Sequence, residues 1–215
     1  HQASAPALLC VSHVWPVHPR AGNEYRVQHL LRWFQQQGHR VIAVISPLPG
    51  EPSPPSALAD TAAEFGNAVL CHRDGRIEYA LRDIPDVLAS LNGSDSFPFA
   101  VTLDEERPMS AAAQRLLDID RTFCHDALIA TVLRLGQALG PHILLTEYIW
   151  MSRLLPLTSP QATKVIDTID VFSTKRHKVL QFGIDDLHVE PEEEARRLAG
   201  ADLIIAATES SLGVW

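Results

Sequence analysis

The sequence predicts an α/β fold, a Rossmann-like open, mainly parallel sheet with helices on both faces. Three observations lead there. Short continuous apolar runs recur along the chain, as strands buried on both faces do. Segments with helical periodicity separate them. The first strand–loop–helix–strand unit closes within residues 7–45. A length of 215 residues favours one large α/β unit, a single domain spanning 1–215, over two small domains.

Taken in order, Ala7-Leu8-Leu9-Cys10-Val11 reads as the first strand. Val27, Leu30, Leu31 and Phe34 then fall at i, i+3, i+4 and i+7, with Gln28, Arg32, Gln35 and Gln36 opposite and Gly38 as the stop of a helix. Residues 41–45 form a second apolar strand, and the proline-rich stretch 47–55 ends it as a loop. Asn67–Cys71 is a third strand. Most of residues 76–108 reads as irregular, because Phe97-Pro98-Phe99 and Pro108 break periodicity. A long helix is expected over 110–139, with Cys124, Leu128, Thr131, Leu135 and Ala138 on one stripe and Gly140-Pro141 as the stop. Residues 143–146, 165–166 and 203–206 supply three further strands. Pro191 followed by Glu192, Glu193 and Glu194 marks a helix start, since proline suits the first turn and carboxylates suit the positive dipole end. Strands alternating with helices imply parallel pairing through right-handed crossovers.

Composition narrows the function. With 46% hydrophobic and 20% charged residues the chain lies in the globular range. A net charge of −8, from 18 Lys+Arg against 26 Asp+Glu, argues against a nucleic-acid partner. No apolar run approaches the length needed to span a bilayer. The three cysteines, Cys10, Cys71 and Cys124, are widely spaced, and two lie in apolar runs, so a disulfide framework is not expected and a cytoplasmic location is. The ten histidines show no metal-ligand spacing, and no metal is predicted. A start at His1-Gln2 without methionine, and an end at Gly213-Val214-Trp215 as a new segment begins, read as those of a fragment.

Ligands of such sheets bind at the carboxyl ends of the strands, so the loops after residues 11, 146 and 166 should share one rim. In the first loop Gly22 lets backbone approach a ligand, the helix start offers N–H groups to an anion, and Arg20 and Arg26 add charge. An ordinary connection with a turn-easing glycine fits equally well, because neither G-x-G-x-x-G nor a P-loop is present. In Val165-Ile166-Asp167-Thr168-Ile169-Asp170 a carboxylate just past a strand is placed to act as a general base, or to cap the next helix. Glu147 and Tyr148 follow the preceding strand and are expected to line the same cleft, or to be plain loop residues. Asp118-Ile119-Asp120 looks like a metal-binding D-x-D but reads as a solvated helix face. Cys124-His125-Asp126 holds triad residue types that, adjacent on one helix, cannot converge on one substrate atom.

Together, the apolar strand, the loop from Pro16 to Gly22, Arg26 and the ending Gln37-Gly38-His39-Arg40-Val41 resemble the opening of family-4 glycosyltransferases of the GT-B fold. Residues 165–173 are similar to that family's acceptor-side strand and loop, and Ala201-Asp202-Leu203-Ile204-Ile205-Ala206 to the strand that closes its N-terminal domain. The resemblance spans most of the chain. It implies a metal-independent transferase without a covalently bound cofactor, acting in surface polysaccharide or glycoconjugate synthesis. A nucleotide-sugar donor would be the co-substrate and an acceptor glycan or lipid-linked sugar the partner, with peripheral membrane association through the acceptor. It further implies that Gly22, Asn23 and Arg26 face the donor diphosphate, that Glu147 and Tyr148 meet the acceptor, and that Asp170 or Asp167 assists deprotonation. Relatives carry two adjacent glycines where Ala21-Gly22 stands and a histidine where Ile169 stands. The family's C-terminal nucleotide-sugar domain, with two glutamates eight positions apart, has no counterpart here, so the chain corresponds to the acceptor half and alone should turn over nothing. The rival reading is a stand-alone Rossmann-like ligand-binding or interaction module without catalysis. A nucleotide-dependent oxidoreductase or epimerase ranks below both, because the dinucleotide glycine fingerprint is missing.

Overall fold

The computed structural model describes residues 5–82, 110–174 and 188–206. Among the described residues seven strands form one sheet in the order β4-β3-β2-β1-β5-β6-β7. They are β1 (Ala7–Ser12), β2 (Arg40–Ile45), β3 (Asn67–Cys71), β4 (Ile77–Leu81), β5 (Ile143–Glu147), β6 (Thr163–Thr168) and β7 (Leu203–Ala206). All neighbouring pairs are parallel except β3–β4, which run antiparallel across a tight turn at Gly75 (φ +88°). The expected mainly parallel sheet is therefore what forms. The continuous apolar runs explain it: β1 is buried along its whole length, as a central strand covered on both sides must be.

From β1 the chain winds outward in two directions. Helices α1 (Gly22–Gln36) and α2 (Ala57–Phe65) carry it through β2 to β3 on one face, where Val27, Leu31, Phe34, Ala57 and Phe65 pack against Leu8, Cys10, Leu145 and Val165. Helices α3 (Ala111–Phe123), α4 (Asp126–Leu139), a 3-10 helix at Ile149–Leu157 and α5 (Pro191–Leu198) cover the other face, around Trp150, Leu128, Leu135 and Leu198. Right-handed crossovers require this division, since reversing the winding direction puts the helix on the opposite side. Over β5–β7 the α1 face is thinly covered: Trp33 and Leu203 are each 53% exposed beside an apolar hollow.

Several expectations are corrected. Within 76–108, where no strand was expected, β4 occupies Ile77–Leu81; residues 83–109 lie outside those described. The single helix expected over 110–139 is two helices broken at Cys124-His125. Ser110 caps the first by accepting the Ala113 N–H, and His125 caps the second by accepting the Leu128 N–H. Ala138 is exposed and leaves the stripe, and Gln28, expected on the solvent side of α1, is buried beside Val27. Asp120 is no solvated residue either. It is buried and held by Arg197, whose Nη1 and Nη2 lie 2.5 and 2.9 Å from its two oxygens while the guanidinium also sits over the Trp150 ring.

Candidate functional site

Side chains alternate between faces along a strand. On the α1 face the apolar rows Leu8–Cys10, Leu145 and Val165 end, at the carboxyl rim, in Ser12, Glu147 and Asp167, all buried. Glu147 and Asp167 are register partners across β5 and β6. A polar row thus closes the apolar face under the first turns of α1.

Arg26 of α1 grips the outer end of that row. Its Nε lies 2.8 and 2.7 Å from the two Asp167 oxygens, and its Nη2 lies 2.5 Å from Oδ1. Two expectations change here: instead of meeting a phosphate and assisting deprotonation, Arg26 and Asp167 are each other's partner across 141 positions of sequence. Burial lifts the Asp167 pKa and Arg26 pulls it back, while the pairing raises that of Arg26. A carboxylate 1% exposed and bound on both oxygens is not placed to take a proton from a substrate.

The start of α1 also differs from an empty anion site. Gly22 is its first residue, and a Cβ there would meet nothing within 4 Å, so the space beside it is open. The Glu24 carboxylate, however, turns back to accept the N–H groups of Arg20 and of Ala21, the latter at 3.1 Å. The chain's own carboxylate stands where the helix's positive end would draw an anion. Asn23 accepts the Glu24 N–H and hydrogen-bonds the Tyr148 side chain.

Tyr148 joins the loops. Its backbone adopts φ +62°, and its ring lies 5.0 Å from that of His13 and 5.7 Å from that of Phe172. Asp170, half-buried in the bend after β6, acts electrostatically on the same tyrosine. The Tyr148 pKa is raised, first by burial and then by Glu147. Asn23, Tyr148 and Asp170 therefore meet at one rim, with Gly22 adjoining. Glu147 is set back from it: 2% exposed, its pKa pushed well above the carboxylate range by burial. Neither Glu147 nor Tyr148 is among the residues that line the neighbouring cleft, where both were expected.

That cleft, of about 390 Å³, opens between the β1 loop and the proline-rich loop after β2, with His13, Trp15, Asn23 and Glu24 on one side and Leu48, Glu51 and Pro54 on the other. His13 was not singled out by sequence reasoning, although its place directly after a buried strand was the available signal. It is 8% exposed, and burial lowers its pKa to about 4, so the ring is neutral at pH 7. Its buried Nδ1 has no hydrogen-bond partner and lies 3.9 Å from Glu147 Oε2, too far for a bond. Nε2 is the nitrogen left to meet a ligand.

A second histidine contact imitates a nucleophile pair. Ser46 Oγ lies 2.8 Å from His125 Nε2. Because His125 Nδ1 accepts the Leu128 N–H as a helix cap, the neutral ring carries its proton on Nε2 and donates to Ser46. Burial holds the His125 pKa down at about 4, keeping that tautomer neutral. Such an imidazole cannot activate the serine. Among the described residues no group of three His, Cys, Asp or Glu side chains is arranged to hold a metal ion, and no helix is long and apolar enough to cross a membrane.

No protein-family model matches the chain, and no curated protein does. Among solved structures, one described as TcCGT1 in complex with UDP is similar with probability 1.00 and a TM-score of 0.49, at 11% identity over 97% of this chain. The chain spans 45% of that neighbour's length.

Proposed function

We propose that this chain is the acceptor-side half of a GT-B glycosyltransferase that moves a sugar from a nucleotide-sugar to an acceptor hydroxyl. The observation that supports the reading most is convergence. The two segments most like glycosyltransferase sequence, the β1 loop ending at Gly22 and the β6 end at Asp170, meet through Asn23 and Tyr148 at one rim, beside a cleft of about 390 Å³. In this reading the cleft receives a glycan or lipid-linked acceptor, the latter bringing the protein to a membrane surface. A second lobe carries the nucleotide, and neither a metal nor a bound cofactor takes part. The open space beside Gly22 faces the donor. His13, neutral and presenting Nε2, accepts the proton of the acceptor hydroxyl, and Asp170 is the second candidate for that role.

Sugar transfer by the natural protein that carries this chain, assayed with a panel of nucleotide sugars and hydroxyl acceptors, tests the reading. His13→Ala is expected to lower kcat by about 10²–10⁴ with little change in KM, the range for loss of a general base. Gly22→Val should raise KM for the donor without unfolding the chain, since its side chain enters open space. Binding without transfer would favour the stand-alone binding module. Transfer unaffected by H13A, G22V and Asp170→Asn would remove the site assignment.

A further inference from the structure

Beside His13, three groups form a closed set of hydrogen bonds. Ser12 Oγ lies 3.1 Å from the Val14 carbonyl oxygen, accepts the Val14 N–H at 3.0 Å, and is hydrogen-bonded to Glu147 Oε2. A serine hydroxyl has one proton to give and two lone pairs to offer. The Val14 N–H uses one lone pair. If Glu147 were ionised, the single hydroxyl proton would serve either the carboxylate or the carbonyl, and the other oxygen would face Ser12 Oγ with no hydrogen between them. A proton on Glu147 closes the count: Glu147 donates to Ser12, Ser12 donates to the Val14 carbonyl, and the Val14 N–H returns to Ser12.

We propose that Glu147 is a neutral positioning residue that, as hydrogen-bond donor to Ser12, clamps the turn from Ser12 to Val14 and so sets where His13 stands in the cleft. Its surroundings fit this state. Oε1 is buried without a partner, which is tolerable for a carbonyl oxygen and costly for half of a carboxylate. The titratable and charged groups around it are Cys10 on β1, His13 after it, Asp167 on β6, Arg26 on α1 and Tyr148 next in sequence. Arg26, the cation among them, is engaged by both oxygens of Asp167, and a second carboxylate charge nearby would add repulsion. That Glu147 serves catalysis through His13 rests on the proposed glycosyl transfer; its protonation and its bond to Ser12 do not.

The test uses the 215-residue chain. Glu147→Gln keeps a neutral donor in place, whereas Glu147→Ala removes it. The infrared difference between wild type and E147Q at pH 7 is expected to show a protonated carboxyl stretch in the wild type. Exchange of the Val14 amide hydrogen should stay slow in E147Q and quicken about tenfold or more in E147A, as for a locally released amide. The folded state retains a proton that the unfolded chain releases. The unfolded-to-folded ratio from this group therefore rises roughly tenfold per pH unit above about pH 5, until the folded pKa is reached. That component should vanish in E147Q. A carboxylate band at pH 7, or an unchanged pH dependence in E147Q, overturns the proposal, and the E147Q comparison decides the matter even if E147A does not fold. Absence of sugar transfer by the natural protein that carries this chain would count against the transferase and leave these outcomes untouched.

Discussion

Replacing Arg26 with methionine would leave Asp167 stranded in the polar row under α1. The wild-type carboxylate is 1% exposed and receives three contacts of 2.5–2.8 Å from one guanidinium. Removing one member of a buried pair costs about 3–5 kcal/mol, because the other keeps its desolvation penalty without its partner. The reverse change, Asp167→Asn, is milder. The Arg26 side chain is 24% exposed and can turn toward water, so the cost falls to about 1–2 kcal/mol. Urea unfolding at pH 7 with a constant m-value measures both. The pH dependence adds a signature. Burial raises the folded pKa of Asp167, and without Arg26 nothing pulls it back. Stability linked to this group is then fullest below the unfolded pKa and is lost as pH rises through the folded one. Lowering the pH from 7 to 5 should therefore recover part of the loss in R26M and none in D167N. Equal costs for the two variants, or an R26M loss below about 1 kcal/mol, would show the pair behaving like an exposed ion pair and refute the reasoning.

Two further outcomes are expected. Glu194, fully buried on α5, accepts the N–H groups of Phe172 and Ser173 at 2.8 Å each; Glu194→Ala leaves both donors orphaned and should cost about 1–3 kcal/mol in urea unfolding. Because His125 donates to Ser46 rather than drawing its proton, Ser46→Ala should leave the proposed sugar transfer intact, and a loss of transfer beyond about tenfold would instead reveal Ser46 as a nucleophile.

The central strands are legible because burial on both faces leaves continuous apolar runs in β1, β2 and β3, with Ser12, Arg40 and Asn67 only at their ends. The edge strand β4 is not. Every residue of Ile77–Leu81 is half-buried, so the segment mixes apolar and charged side chains and gives no continuous run. The α3–α4 break was hidden because the apolar stripe continues through it, and its cap is an imidazole rather than the usual short hydroxyl or carboxamide. At the site, the convergence of the β1, β5 and β6 ends follows from parallel topology, which periodicity reveals. The partners within it do not: Arg26 meets Asp167 across 141 positions and Ser12 meets Glu147 across 135, distances at which one sequence carries no pairing signal. Reading Arg26 and Asp167 as ligand groups therefore assumed charges to be unspent that the fold had already matched.

The two-way winding from β1 has a consequence for how this protein can change. The hollow beside the rim exists because one set of connections departs left and the other right, before any side chain is placed in it. One wall is tied into the core through Trp15 and Val17, whereas the opposite wall comes from the proline-rich loop, whose residues 49–56 are exposed. Exchange of the proline-rich wall for another of similar span would alter what the hollow admits while leaving the scaffold beneath it intact.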